Sequence, residues 1–162
     1  MTERDPVERA YPPAGVINYN DVRAVLAAAC SELAGPLDES DEVAIEDGLR
    51  YNEMSAIARL LGARMRAGES ACFDPIFEAV ERCLLWGSYE AVELVMVCLL
   101  EDLQNANITR LDGYAQWEPY LRPQTRVAWK AVSDLWDGNP RALQDYGQGP
   151  MPRWSEKTRE LK

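Results

Sequence analysis

The chain has 162 residues, 47% hydrophobic and 27% charged, which are ordinary proportions for one folded domain and not for a disordered segment. Its 27 acidic and 17 basic residues give a net charge of −10, which disfavours direct binding to nucleic acid or to an anionic membrane surface and favours a cationic partner protein. With 0 histidines, Ser-His-Asp and Cys-His catalysis and the commonest metal ligand are excluded.

Residues 1–18 hold Pro6, Pro12, Pro13 and Gly15 and read as an extended arm. Asn18 or Asn20 caps a first helix over Asp21–Leu33, whose apolar positions Val22, Val25, Leu26, Ala29 and Leu33 keep helical spacing. Gly35-Pro36 is expected to end it. In residues 37–49, Val43 and Ile45 alternate with polar neighbours, as in a short extended piece. A second helix follows over Arg50–Arg66, with Met54, Ile57, Ala58, Leu61 and Met65 in one stripe and Gly68 closing it.

Asp74 as N-cap and Pro75 in first position open a third helix, whose face is Phe73, Ile76, Phe77, Val80, Cys83 and Leu84. Gly87 ends it, and Ser88 caps the next helix, Tyr89–Gln104. That helix is apolar nearly all round, the mark of a central helix. Residues 105–122 form a connector with Trp117, Pro119 and Tyr120. Pro123 starts a last helix to Trp136, with Val127, Ala128, Val132, Leu135 and Trp136 toward the core, and Asp137-Gly138-Asn139-Pro140 stops it. The predicted fold is all-α: a single-domain bundle of about five main helices around Tyr89–Gln104, with αα-hairpins. An arm over 1–18 and a Gly/Pro-rich segment with a weakly basic tail over 141–162 flank a helical domain over 19–140.

None of the four cysteines forms a CxxC pair, and the N-terminus has no apolar signal-peptide core. All four are therefore expected to be reduced thiols in a cytoplasmic protein. Phosphate-binding loops, a nucleophile elbow and an EF-hand are missing; an EF-hand begun at Asp38 would need Gly at position 43 and Glu at 49, where Val43 and Leu49 stand. No catalytic residue, metal ligand or cofactor is expected. A carboxylate-only enzyme would need two converging acids, one with a raised pKa.

The negative charge is unevenly placed: residues 1–81 hold 16 acids and 7 bases. Its densest run contains Asp38, Glu39, Asp41, Glu42, Glu46, Asp47 and Glu53, with Tyr51 beside it. Carboxylates speed encounter with a basic surface and tyrosine is a frequent interface anchor, so these residues form the candidate partner-binding surface. A solvated loop that keeps the protein in solution is the alternative. Trp117 with Glu118 is a candidate second contact in the connector. Trp86, Trp129 and Trp136 are expected at the core or its edge.

The stretch FDPIFEAVERCLLWGSYEAVELVMVCLLEDLQN resembles small bacterial proteins of a domain-of-unknown-function family, in which an amphipathic helix passes through a glycine turn into a near-apolar helix. The segment YLRPQTRVAWKAVSDLW resembles their ending, with Arg122 for a glycine and Leu135 for an aromatic residue. The resemblance covers about residues 50–137. It implies a small α-helical protein encoded beside secreted polymorphic toxins and regarded as a cognate immunity protein; it carries over no catalytic residues. The expected function is occlusion of the active site of a toxin with a basic cleft, a nuclease or nucleotide-targeting toxin among the candidates. The alternatives are a non-catalytic adaptor or chaperone for a secreted effector and an acidic phage-type inhibitor. The oligomeric state stays open, since an apolar helix is filled either by its own core or by a symmetric partner.

Overall fold

The computed structural model describes residues 17–43, 50–143 and 146. Among them the architecture is all-α: helices α1 (Val22–Ala29), α2 (Ala34–Val43), α3 (Arg50–Ala67) and α4 (Phe73–Trp86), a long helix α5, a short α6 (Ala106–Thr109) and α7 (Pro123–Trp136). Helix α5 runs through residues 89–104 as three unbroken stretches, Tyr89–Glu93, a π-helical Leu94–Leu100 and Glu101–Gln104. Short 3-10 turns occupy Tyr19–Asp21, Ser31–Leu33 and Ala115–Tyr120.

The near-apolar composition of α5 has the consequence expected of it. Ala91, Val92, Leu94, Val95, Met96, Cys98, Leu99, Leu100 and Leu103 are all buried, and α3, α4 and α7 pack around the helix. Ser88 starts it: the Ser88 hydroxyl accepts the Ala91 backbone N–H at 3.2 Å. At the same elbow Gly87 is required by a close approach, since a Cβ there would stand 2.2 Å from the Cys83 carbonyl oxygen. Ile17 joins this elbow by a single-residue bridge, donating its N–H to Trp86 O (2.9 Å) and accepting from Ser88 N (2.8 Å).

Helix α3 follows its predicted stripe: Met54, Ile57, Ala58 and Leu61 are buried and Gly68 ends it at φ +73°. Gly62 lies against the last residue of α6, where an added Cβ would come within 2.6 Å of Thr109 O, so the two backbones meet only through a glycine. Helix α7 begins at Pro123 as predicted. Its start is held from outside: the Glu81 carboxylate on α4 accepts the backbone N–H groups of Gln124 and Thr125, both at 2.8 Å, and the Thr125 hydroxyl at 2.5 Å. A carboxylate at a helix N-terminus satisfies orphan donors and meets the positive end of the helix dipole.

Five expectations are corrected. The third predicted helix begins at Phe73 with Cys72 as its N-cap, so Asp74 and Pro75 lie inside its first turn. The first helix stops at Cys30, whose backbone is extended (φ −150°, ψ 110°), and Gly35-Pro36 does not end it. Pro36 instead lies in the first turn of α2, where a backbone N–H has no intrahelical partner to lose. The acidic stretch is helical as far as Val43 where an extended piece was expected; Ile45 lies outside the described residues. Val127 and Trp136 face solvent and Leu135 is half-buried, because the buried stripe of α7 runs through Thr125, Ala128, Trp129 and Val132. Lastly, Cys30 and Cys72 are joined in a disulfide with a Cα–Cα distance of 5.7 Å, so only Cys83 and Cys98 are free. Both free cysteines are buried, and burial pushes each thiol up to about 12, so they are inert as nucleophiles near neutral pH.

Candidate functional site

Among the described residues of the acidic N-terminal half, two carboxylates share the cation Arg23. Arg23 on α1 reaches Glu53 on α3 at 3.2 Å and Asp38 on α2 at 3.4 Å, drawing three helices together. The two carboxylates differ in burial. Glu53 is 3% exposed, so its pair with Arg23 is an interior contact. Asp38 is open to water, where an ion pair contributes little. Tyr51, at the start of α3, is 55% exposed and directly follows the acidic stretch in the chain.

Of the candidate contact residues, Asp38, Tyr51 and Glu118 are thus on the surface. Glu53 and Trp117 are not. Glu53 is spent on an interior pair, and Trp117 is 0% exposed, with its indole Nε1–H donating to Leu103 O at 3.1 Å. Trp117 stacks edge-on against Phe73 with ring centroids 5.4 Å apart, so it is a core residue and no surface contact, whereas Glu118 beside it is exposed. The side chains of Glu39, Asp41 and Glu42, and the whole of Glu46 and Asp47, lie outside the described residues.

A second acidic group, which the sequence reading passed over, sits at the end of α5. Ser55 donates to Asp102 at 2.5 Å, with Glu101 adjacent. Burial, with each other's charge adding to it for Glu101, raises both carboxyl groups above their ordinary range; the Ser55 hydroxyl and Arg59 partly offset this for Asp102. A carboxyl with a raised folded pKa binds its proton more tightly folded than unfolded. It therefore costs stability as pH rises from the ordinary carboxylate value through the raised one. Asp102→Asn is expected to gain stability relative to the parent between pH 4 and pH 7, by up to about 1 kcal/mol after solvent screening. Urea unfolding at the two pH values checks this; a difference independent of pH would show that Asp102 is held by hydrogen bonding and not by its charge.

Among the described residues no group of three His, Cys, Asp or Glu side chains is placed to hold a metal ion, and no helix is long and apolar enough to cross a membrane. No curated protein and no solved structure matches the chain. A family model does: the one described as Domain of unknown function (DUF7674) matches residues 23–137, most of the chain and nearly all of the helical bundle, and the chain belongs to that family.

Proposed function

We propose that this chain is an immunity protein, an acidic, non-catalytic module that covers the substrate cleft of one bacterial toxin domain. The observation that carries the reading is the concentration of charge: 16 acids against 7 bases in residues 1–81, with exposed Tyr51 beside the densest run. A cleft built to bind nucleic acid or a nucleotide is cationic, and a carboxylate-rich face steers toward it. The resemblance to immunity-like proteins points the same way. With Glu53 and Trp117 buried, the proposed surface consists of Asp38, Glu39, Asp41, Glu42, Glu46, Asp47 and Tyr51, with Glu118 as a separate exposed candidate.

The test is co-expression with the C-terminal domain of a large secreted protein whose gene adjoins that of this chain. Restored growth with a stoichiometric complex is expected. Reversing Glu42, Glu46 and Asp47 to lysine should then slow association at low salt by about tenfold or more, with a smaller effect on dissociation. A complex without rescue supports the adaptor reading instead, and the absence of both toxicity and a complex overturns the proposal.

A further inference from the structure

The Cys30–Cys72 bond spans 42 positions and ties the residue that ends α1 to the residue that precedes α4. Its two residues differ in access: Cys30 is 4% exposed, whereas Cys72 is half-buried. The approach to Cys72 is lined by charge. Glu32 Oε1 lies 3.9 Å from Cys72 Sγ, and Arg64 on α3 pairs with Glu32 at 2.5 Å and with Glu69 at 2.6 Å. The two carboxylates are open to water and Arg64 is half-buried between them. The bond is therefore reached from solvent through a polar rim and is not sealed in the core.

We propose that this disulfide is a redox latch, opened by a dithiol reductant, that controls how firmly residues 22–43 are held to the rest of the fold. A reductant thiolate attacks Cys72 Sγ; a bond forms between them and the Cys72–Cys30 bond breaks, with Cys30 leaving as a thiolate that takes a proton from water. The second thiol of the reductant loses its proton and displaces Cys72, which is protonated in turn. The reductant departs as its internal disulfide, and two electrons have passed to the protein. Closure is the same exchange run backward by a disulfide oxidant.

The latch acts on a defined segment. Helix α1 packs on α4, and Val22, Leu26, Leu33 and Leu37 insert into the core, so the segment stays docked after reduction. What changes is its opening equilibrium, because the cross-link restrains the opened chain; a closed loop of this length corresponds to roughly two to three orders of magnitude. Helix α5 carries neither end of the bond. The released segment includes α2, the helix of the acidic run, but the inference needs no partner and stands apart from the immunity reading.

Hydrogen exchange by mass spectrometry on the full chain tests it, in the air-oxidised form, in the form reduced by dithiothreitol and in the Cys30→Ser/Cys72→Ser variant. Exchange across 22–43 is expected to rise by roughly a hundredfold on reduction and in the variant, with residues 89–104 changing by less than about threefold. Should the variant fail to fold, the reduced parent gives the same reading. Equal acceleration in both regions would make the bond a general staple and overturn the latch. Unchanged exchange at 22–43, or alkylation of Cys30 and Cys72 before any reductant is added, overturns it too. Glu32→Gln should speed reduction by glutathione several-fold, since it removes a carboxylate that repels the attacking thiolate; an unchanged rate would put the attack elsewhere than Cys72.

Discussion

Trp117→Ala is expected to lower the unfolding free energy by about 4 kcal/mol. Three losses combine. The side chain is among the largest that are fully buried, so its removal leaves a cavity between α4 and α5 that neighbouring backbone cannot fill. The edge-to-face contacts with Phe73 go with it, and that ring also meets Tyr120 at 5.0 Å. Leu103 O lies in the last turn of α5, where carbonyls have no intrahelical donor, so it loses its cap. Trp117→Phe keeps most of the volume and removes the N–H, and should cost about 1–2 kcal/mol. Urea unfolding followed by far-ultraviolet circular dichroism separates the two variants. A loss below about 1 kcal/mol for Trp117→Ala would return this residue to the surface.

The burial of Trp117 was legible in part. A 3-10 turn places residues three apart on one edge, and Trp117 and Tyr120 have that spacing. Read as an irregular connector, the segment offered no face; read as a turn, it offers an aromatic edge that only a core accepts. Glu53 is similar. It stands four residues before Ile57 and eight before Leu61, on the buried stripe of α3, although its charge places it with the acidic run in a simple composition count. Helix α7 and the Ser88 start of α5 were readable because Pro123 and Ser88 act within one turn of their own positions. The Cys30–Cys72 pair and the Glu81 cap on α7 were not, since their partners are 42 and 43 or 44 residues away and nothing local marks them. The fold class follows from periodicity, which is local. The candidate surface depends on which carboxylates find interior partners, which is not.

Arg23→Met tests that distinction, and it is expected to cost about 3 kcal/mol. The substitution keeps a long apolar stem where Arg23 packs and removes the cation 3.2 Å from Glu53. Glu53 then stays at 3% exposure without that cation, and removing one partner of a largely buried pair is costly. The Asp38 arm contributes little to the loss, because its carboxylate is well hydrated. Glu53→Gln should cost less than Arg23→Met, because Arg23 is closer to water and keeps Asp38. Combining the two should recover at least about 1.5 kcal/mol against the sum of the single losses, the coupling expected of residues in contact. Strict additivity would mean that Arg23 positions nothing. With the coupling present, Arg23 is fixed by Glu53, and its second arm reaches Asp38 of α2 from that fixed position.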